Sequence, residues 1–238
     1  MCMHVSIMFL QQVNVDQKYA GRKQFVLYSD FTCPYCYLEF LRLTKAVAKL
    51  PENDRPIISH GPFQLDDTLP EKGVDKYQFL VKMIPPSALD PMIDILCEQF
   101  EDMGMEMAKK GLIGNSRRAH YLQIWADENL SPDQAMKLKD SLFRIHSCQG
   151  KSMSDIDAII EACDTLGLND EEQIRDIIDS PAMAKRFKKK VKFAEEKLMI
   201  KTVPCLQLVE PNGKQQIIKE ATSIETVEGF DELLASHI

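Results

Sequence analysis

Phe25-Val26-Leu27-Tyr28-Ser29-Asp30-Phe31-Thr32-Cys33-Pro34-Tyr35-Cys36-Tyr37-Leu38 is the stretch from which the rest of the chain is best read. It opens on the continuous apolar run Phe25-Val26-Leu27-Tyr28, as a buried strand does. Beyond the two cysteines, apolar residues recur at Leu38, Leu41, Leu43, Val47 and Leu50, the pattern of a helix with one buried face. Pro51 to Pro56 reads as a turn, and Ile57-Ile58-Ser59-His60 as a second strand. Strand, helix and strand in that order imply a parallel pair joined by a right-handed crossover.

The dithiol thus falls just after a strand and at the start of a helix, which suits its chemistry. There the first cysteine meets backbone N–H groups without partners and the positive end of the helix dipole, both of which favour thiolate over thiol. One helical turn brings the second sulfur within reach, so a mixed disulfide on Cys33 can be resolved by Cys36. Pro34 suits a first helical turn and stiffens the loop. A C-x-x-C pair beside a β-α-β pattern is the redox signature of thioredoxin-like proteins. A structural zinc site would need a second ligand pair. The sequence offers no other C-x-x-C and no close Cys/His pair except His146 with Cys148, so no metal is expected.

The rest of the chain supports one α/β unit interrupted by helices. Apolar spacing predicts a helix over Leu89 to Lys110, and another over Ser116 to Leu130. Ser131-Pro132-Asp133-Gln134 carries an N-cap serine, a proline at the first helical position and a glutamine three after the cap. Ser154 to Leu168, Asp170 to Ile178 and Ser180 to about Leu198 read as further helices. Strand character returns at Cys205 to Val209, then Pro211-Asn212-Gly213 turns the chain into Gln216-Ile217-Ile218. Thr226 to Ser236 closes as a helix. The expected division is a discontinuous α/β domain over 22–70 and 181–238, with an all-helical insertion over 71–180 packed on the dithiol face.

Composition bounds the function. The 238 residues suit one elaborated domain or two small ones. With 29 Lys and Arg against 36 Asp and Glu, the net charge of −7 argues against nucleic acid as a partner. The basic run Lys185-Arg186-Phe187-Lys188-Lys189-Lys190 reads as the wet face of a helix. No segment has the ~18 successive apolar residues of a membrane span. Met1 to Leu10 lacks the basic start and cleavage site of a signal peptide, so a cytoplasmic protein is expected. The seven cysteines do not form a disulfide framework. Cys2, Cys97, Cys148, Cys163 and Cys205 read as small apolar residues.

Lys201-Thr202-Val203-Pro204 immediately precedes the late strand, and proline is tolerated at a strand's first residue. Taken with Tyr28 to Tyr37, Gly61-Pro62-Phe63-Gln64-Leu65, Asn115-Ser116-Arg117-Arg118-Ala119-His120 and Gly150-Lys151-Ser152-Met153-Ser154, the chain resembles the DsbA family, and within it the FrnE-like cytoplasmic branch. The resemblance implies a thioredoxin-like fold with a large helical insertion. It also implies a thiol–disulfide oxidoreductase that reduces, forms or isomerises disulfides. It gives Cys33 and Cys36 the catalytic role and makes Val203–Pro204 a cis bond packed against the dithiol. Pro34, Tyr35, Val203, Asn115 and His120 are then substrate-binding candidates, with His120 alternatively tuning the thiolate. No dissociable cofactor is implied, and the partners are protein or small-molecule thiols and disulfides, glutathione among them.

The sequence departs from the family at Thr202, where glycine is common, at Cys205, and at Glu220-Ala221-Thr222-Ser223 before the last helix. A second reading is a glutathione-dependent transferase or isomerase, since kappa-class transferases and hydroxychromene-carboxylate isomerases share this architecture. Those carry serine where this chain has a cysteine pair. Thr202-Val203-Pro204 with Cys-Pro-Tyr-Cys also resembles glutaredoxins, which lack the helical insertion. A non-catalytic binding module using the helical block is a third reading. His60 and His146 are read as structural.

Overall fold

The computed structural model describes residues 19, 21–218 and 224–237. The N-terminal stretch Met1 to Leu10, Cys2 and the tail segment Glu220 to Ser223 lie outside the described residues. In chain order the elements are β1 (Gln24–Ser29), α1 (Pro34–Lys49), β2 (Ile57–Pro62), β3 (Val74–Asp75), α2 (Lys76–Leu80), α3 (Pro86–Asp102), β4 (Leu112–Ile113), α4 (Arg117–Asn129), α5 (Pro132–Ser147), α6 (Ile156–Asp164), α7 (Glu171–Ile178), α8 (Pro181–Glu196), β5 (Cys205–Val209), β6 (Gln215–Ile218) and α9 (Val227–His237).

The four-stranded sheet runs in the order β2-β1-β5-β6. β1 and β2 are parallel, as the crossover through α1 requires, while β5 and β6 form an antiparallel hairpin beside β1. The hairpin turn uses Gly213 at φ 82°, a conformation glycine adopts without steric cost. Phe25, Leu27, Leu206 and Leu208 pair across β1 and β5 and are all but completely buried. Their apolar area, at ~25 cal/mol per Å², is the main force holding the sheet to its helices.

Helix boundaries follow local chemistry. Pro34, Pro86, Pro132 and Pro181 each open a helix, where the missing N–H costs nothing. Ser131 and Gln134 complete a reciprocal capping box, and Asp155, Asp170 and Ser180 cap α6, α7 and α8. An aromatic cluster ties the dithiol helix to α5. Tyr37 stacks on Phe143 at 5.0 Å, and Phe31 lies 4.8 Å from the same ring.

Two expectations need correction. The helix expected to reach Lys110 ends at Asp102, because Gly104 takes φ 76° and turns the chain, although Met103 and Met107 continue the apolar period. The stretch expected to be wholly helical contains the β3–β4 ladder, in which Val74 pairs with Ile113 and Asp75 with Leu112. That ladder is separate from the central sheet. A two-residue strand is too short to leave a period in the sequence.

Candidate active site

Cys33 is the N-cap of α1. Its extended backbone (φ −100°, ψ 111°) turns the sulfur back over the first turn, where it accepts a hydrogen bond from the Cys36 N–H at 3.4 Å. The turn that carries it is closed by the Cys33 N–H donating to the Asp30 carbonyl at 3.1 Å. Cys33 keeps 6% of its surface exposed, Cys36 none, and Tyr35 between them 39%. Both thiols are free. Burial, and next the neighbouring Cys33, push the Cys36 thiol well above its ordinary range, against the pull of the Asp30 backbone.

The Val203–Pro204 peptide bond is cis. It leads directly into β5, whose first residue, Cys205, pairs with Tyr28 at the end of β1. Val203 and Cys205 are both buried, and burial, with the charge of Glu39, pushes the Cys205 thiol up to about 11.

Behind the dithiol lies a polar chain that the sequence did not announce. Asp30 is fully buried; its Oδ1 accepts from the Thr32 N–H at 3.1 Å and its Oδ2 from the Leu65 N–H at 2.8 Å. His120 Nε2 stands 3.6 Å from Asp30 Oδ1, too long for a strong hydrogen bond, and His120 Nδ1 is 3.0 Å from His60 Nε2. With the His60 Nε2–H as donor, the remaining His120 proton faces Asp30. Burial pushes the Asp30 carboxyl up, but His120, the Leu65 N–H and Ser116 outweigh it and hold Asp30 below the usual carboxylate range. Burial, and then the charge of Lys139, push His60 well below the ordinary histidine range, so it is neutral. His60, read from sequence as merely structural, is therefore one end of this chain.

Asn115 borders a groove outside the dithiol with its amide fully engaged, and His120 is sealed in the interior. Asn115 Nδ2 donates to the Asp67 and Leu69 carbonyls, while its Oδ1 accepts from Gln64 Nε2 and the Arg117 N–H. That amide fastens the loop after β2 to the start of α4. His120 is completely buried between Phe31 and Phe187 as well as His60. Two more buried ionisable groups stand outside any sequence motif. Glu39, on α1, is pushed up to about 8 by burial. Lys139, on α5, is 2% exposed. A lysine in phase with Ala135, Leu138 and Leu142 was the visible signal for the second.

Outside the dithiol, the loop after β2 and α8 enclose a groove of about 580 Å³, walled in part by Gln64, Leu65, Arg117, Lys188 and Lys192. Leu65, half exposed, borders it and donates its N–H to Asp30, so groove and dithiol support share one loop.

The sequence matches one family, described as the DSBA-like thioredoxin domain, over residues 24–230. No curated protein matches the chain. Among solved structures, the chain is similar to a probable DsbA oxidoreductase from Streptomyces coelicolor, with 22% identity and a TM-score of 0.73 over 90% of this chain and 89% of that one. It is also similar to the cytosolic disulfide reductase DsbM from Pseudomonas aeruginosa, with 12% identity and a TM-score of 0.63 over 90% and 98% of the two chains. DsbM has been solved with GSH as well. A 2-hydroxychromene-2-carboxylate isomerase shares 18% identity and a TM-score of 0.57 over 77% of this chain and 84% of that one.

Proposed function

The chain belongs to the family of DSBA-like thioredoxin domains, and from that premise we propose that it is a thiol–disulfide oxidoreductase working through Cys33 and Cys36. The observation that carries the proposal is the asymmetry of the pair. Cys33 caps the helix with its sulfur in the field of the Cys36 N–H and keeps some exposure, whereas Cys36 is sealed beneath it.

In the reducing direction, the Cys33 thiolate attacks a substrate disulfide R–S–S–R′. One substrate thiolate leaves with the electron pair, and a Cys33–S–S–R bond forms. Cys36 loses its proton and attacks the Cys33 sulfur. The second substrate thiolate leaves, protein sulfurs are oxidised by two electrons, and the substrate disulfide becomes two thiols. Oxidation and isomerisation use the same steps in other orders. Exposed Tyr35, with Pro34 and Val203, borders the incoming substrate, and Pro204 shapes the same rim. Asn115 borders the groove and fixes the loop after β2, and His120 acts from behind on the Asp30 carboxylate.

The groove beside Leu65 has room for a peptide segment or glutathione, with Lys188 open to a carboxylate while Arg117 is paired with Glu71 and Lys192 with Glu196. DsbM's structure with GSH is in keeping with that substrate class. The segment 71–180 is read as an insertion into a thioredoxin-like domain of 22–70 and 181–238. Among the described residues no helix is long and apolar enough to cross a membrane. A cytoplasmic, FrnE-like protein is in keeping with the similarity to DsbM, a cytosolic disulfide reductase. A cysteine at the helix cap disfavours the transferase or isomerase reading, in which serine stands there.

The test is disulfide exchange in a glutathione redox buffer by wild type, Cys33→Ser and Cys36→Ser. Wild type should cycle, Cys33→Ser should be inert, and Cys36→Ser should accumulate a mixed disulfide on Cys33. Undiminished turnover by Cys33→Ser, or a wild-type pair that does not exchange, overturns the proposal.

A further inference from the structure

The resolving step needs Cys36 to lose a proton, yet its thiol is sealed from water. Something inside the protein must receive that proton. Asp30 is ill suited, because His120 and then the Leu65 N–H hold its carboxylate in the ionised form against burial and keep it a weak base.

The α5 side offers a different group. Lys139 Nζ donates a long hydrogen bond of 3.4 Å to the Leu27 carbonyl. It lies 5.6 Å from the ring centre of Phe40, one turn along α1 from Cys36, and 6.0 Å from that of Phe143. The sheet register brings a counter-charge to the same place. Leu27 pairs with His60, whose N–H donates to Asp127 Oδ2 at 2.9 Å. Asp127 is held there by Gln123, which donates to its Oδ1 at 2.8 Å and to the Ala135 carbonyl at 3.1 Å. A lysine and an aspartate, from α5 and α4, thus meet at one cross-strand pair beneath the dithiol helix. Burying two such charges near each other brings little stability, because desolvation offsets their attraction.

We propose, on the premise that Cys33 and Cys36 exchange disulfides as above, that Lys139 is the internal base that takes the Cys36 proton during resolution, with Asp127 as its counter-charge. The step balances. Cys36–SH and the Lys139 amine become Cys36–S⁻ and the Lys139 ammonium. The thiolate attacks the Cys33 sulfur of the mixed disulfide, the S–S bond between Cys33 and Cys36 forms, and the substrate thiolate leaves with the electron pair. With the Cys36 charge gone, the ammonium gives its proton up in exchange for the charge on the departing thiolate, which leaves as the thiol. Burial pushes Lys139 down to about 8, while Asp127 and then Cys36 pull it up, so amine and ammonium are both accessible near neutrality. The groups that face this equilibrium are Asp127 from α4, Cys36 from α1 and His60 from β2. Cys33 and Asp30 lie next to Cys36, and His120 and Lys190 next to His60.

The experiment uses the full chain and a limiting amount of the aromatic disulfide dithiobis-nitrobenzoate, followed by stopped-flow absorbance. Attack by Cys33 releases one chromophoric thiolate, and attack by Cys36 on the resulting mixed disulfide releases the second. Lys139→Met should leave the first phase within about twofold and slow the second about a hundredfold at neutral pH, the scale of general-base assistance. Its second phase should then rise only at alkaline pH. Asp127→Asn keeps the hydrogen bond to the His60 N–H but removes the counter-charge, so the midpoint of the second phase should move to lower pH. An unaltered second phase in folded Lys139→Met overturns the inference; if that variant does not fold, an unmoved midpoint in Asp127→Asn does so. Loss of both phases in the wild type would instead count against disulfide exchange itself.

Discussion

The backbone N–H of Cys36 points at the sulfur of Cys33 across 3.4 Å, so the first turn of α1 solvates one thiol of the pair with the backbone of the other. The reverse does not hold, because Cys36 is fully buried and its thiol is pushed up. Alkylation by iodoacetamide at mildly acidic pH should therefore modify Cys33 well before Cys36. Peptide mapping by mass spectrometry checks the order, and first labelling at Cys36 would reverse the roles assigned to the two.

Asp30 is where the loop after β2, the dithiol turn and α4 are joined. Asp30→Ala removes the acceptor for the Thr32 and Leu65 N–H groups and the charge facing His120, which leaves buried donors without partners. The expected cost is about 3–5 kcal/mol in urea unfolding, as for breaking a buried pair from one side. Asp30→Asn keeps a carbonyl oxygen and should lose visibly less. Equal losses for the two variants would mean that charge alone matters there.

The parts of this molecule that follow from local chemistry were legible in its sequence. The dithiol at a helix cap, the parallel β1–β2 pair, the capping box at Ser131 and the β5–β6 hairpin each depend on residues close together in the chain. The polar chain behind the dithiol does not. Asp30, His60 and His120 come from β1's exit, β2 and α4, and no spacing rule links them. A buried histidine in a chain and one satisfied in a core look alike in sequence. Lys139 was visible as a lysine on an apolar helix face, but long basic side chains often cover such faces while their charge stays in water. Only the packed helices show that its amine does not escape.

His146 on α5 is buried with Nδ1 unpartnered, and burial, then the charge of Lys76, push it down to about 4 from an ordinary 6.5. Between those values the folded state binds fewer protons than the unfolded one. Stability is thus fully present above the unfolded value and is lost as pH falls through the window. Replacing it by phenylalanine should flatten the pH dependence of urea stability between pH 7 and 4 by up to ~3 kcal/mol. His60, shifted in the same direction, should leave part of the slope in place. A variant with the wild-type slope would show that His146 protonates without resistance.

Glu39 behaves in the opposite sense. Its carboxyl is pushed up from 4.5 to about 8 by burial, with Arg42 pulling weakly the other way, and its Oε1 has no partner. The folded state therefore holds a proton that the unfolded state has released, and stability is present at low pH and lost as pH rises through that window. Glu39→Gln imitates the neutral acid and should raise stability near pH 8 by ~2–4 kcal/mol, with little effect near pH 4. Urea melts at the two pH values decide it, and a uniform gain or loss would place the effect in packing rather than ionisation.

Cys205 stands beside the Val203–Pro204 bond and is buried to 8% exposure, so a third redox thiol is conceivable at this position. Two observations argue for an inert one. Burial and Glu39 push its thiol up to about 11, which leaves almost no thiolate at neutral pH. Its residue pairs with Tyr28 within the β1–β5 ladder, a rigid place from which to reach another sulfur. Cys205→Ala should leave disulfide exchange within about twofold of wild type and cost about 1 kcal/mol of stability, the scale of one small buried group. Mild oxidation followed by peptide mapping should recover the Cys33–Cys36 bridge alone. A Cys33–Cys205 bridge, or a large loss of exchange in the alanine variant, would make Cys205 a working third thiol.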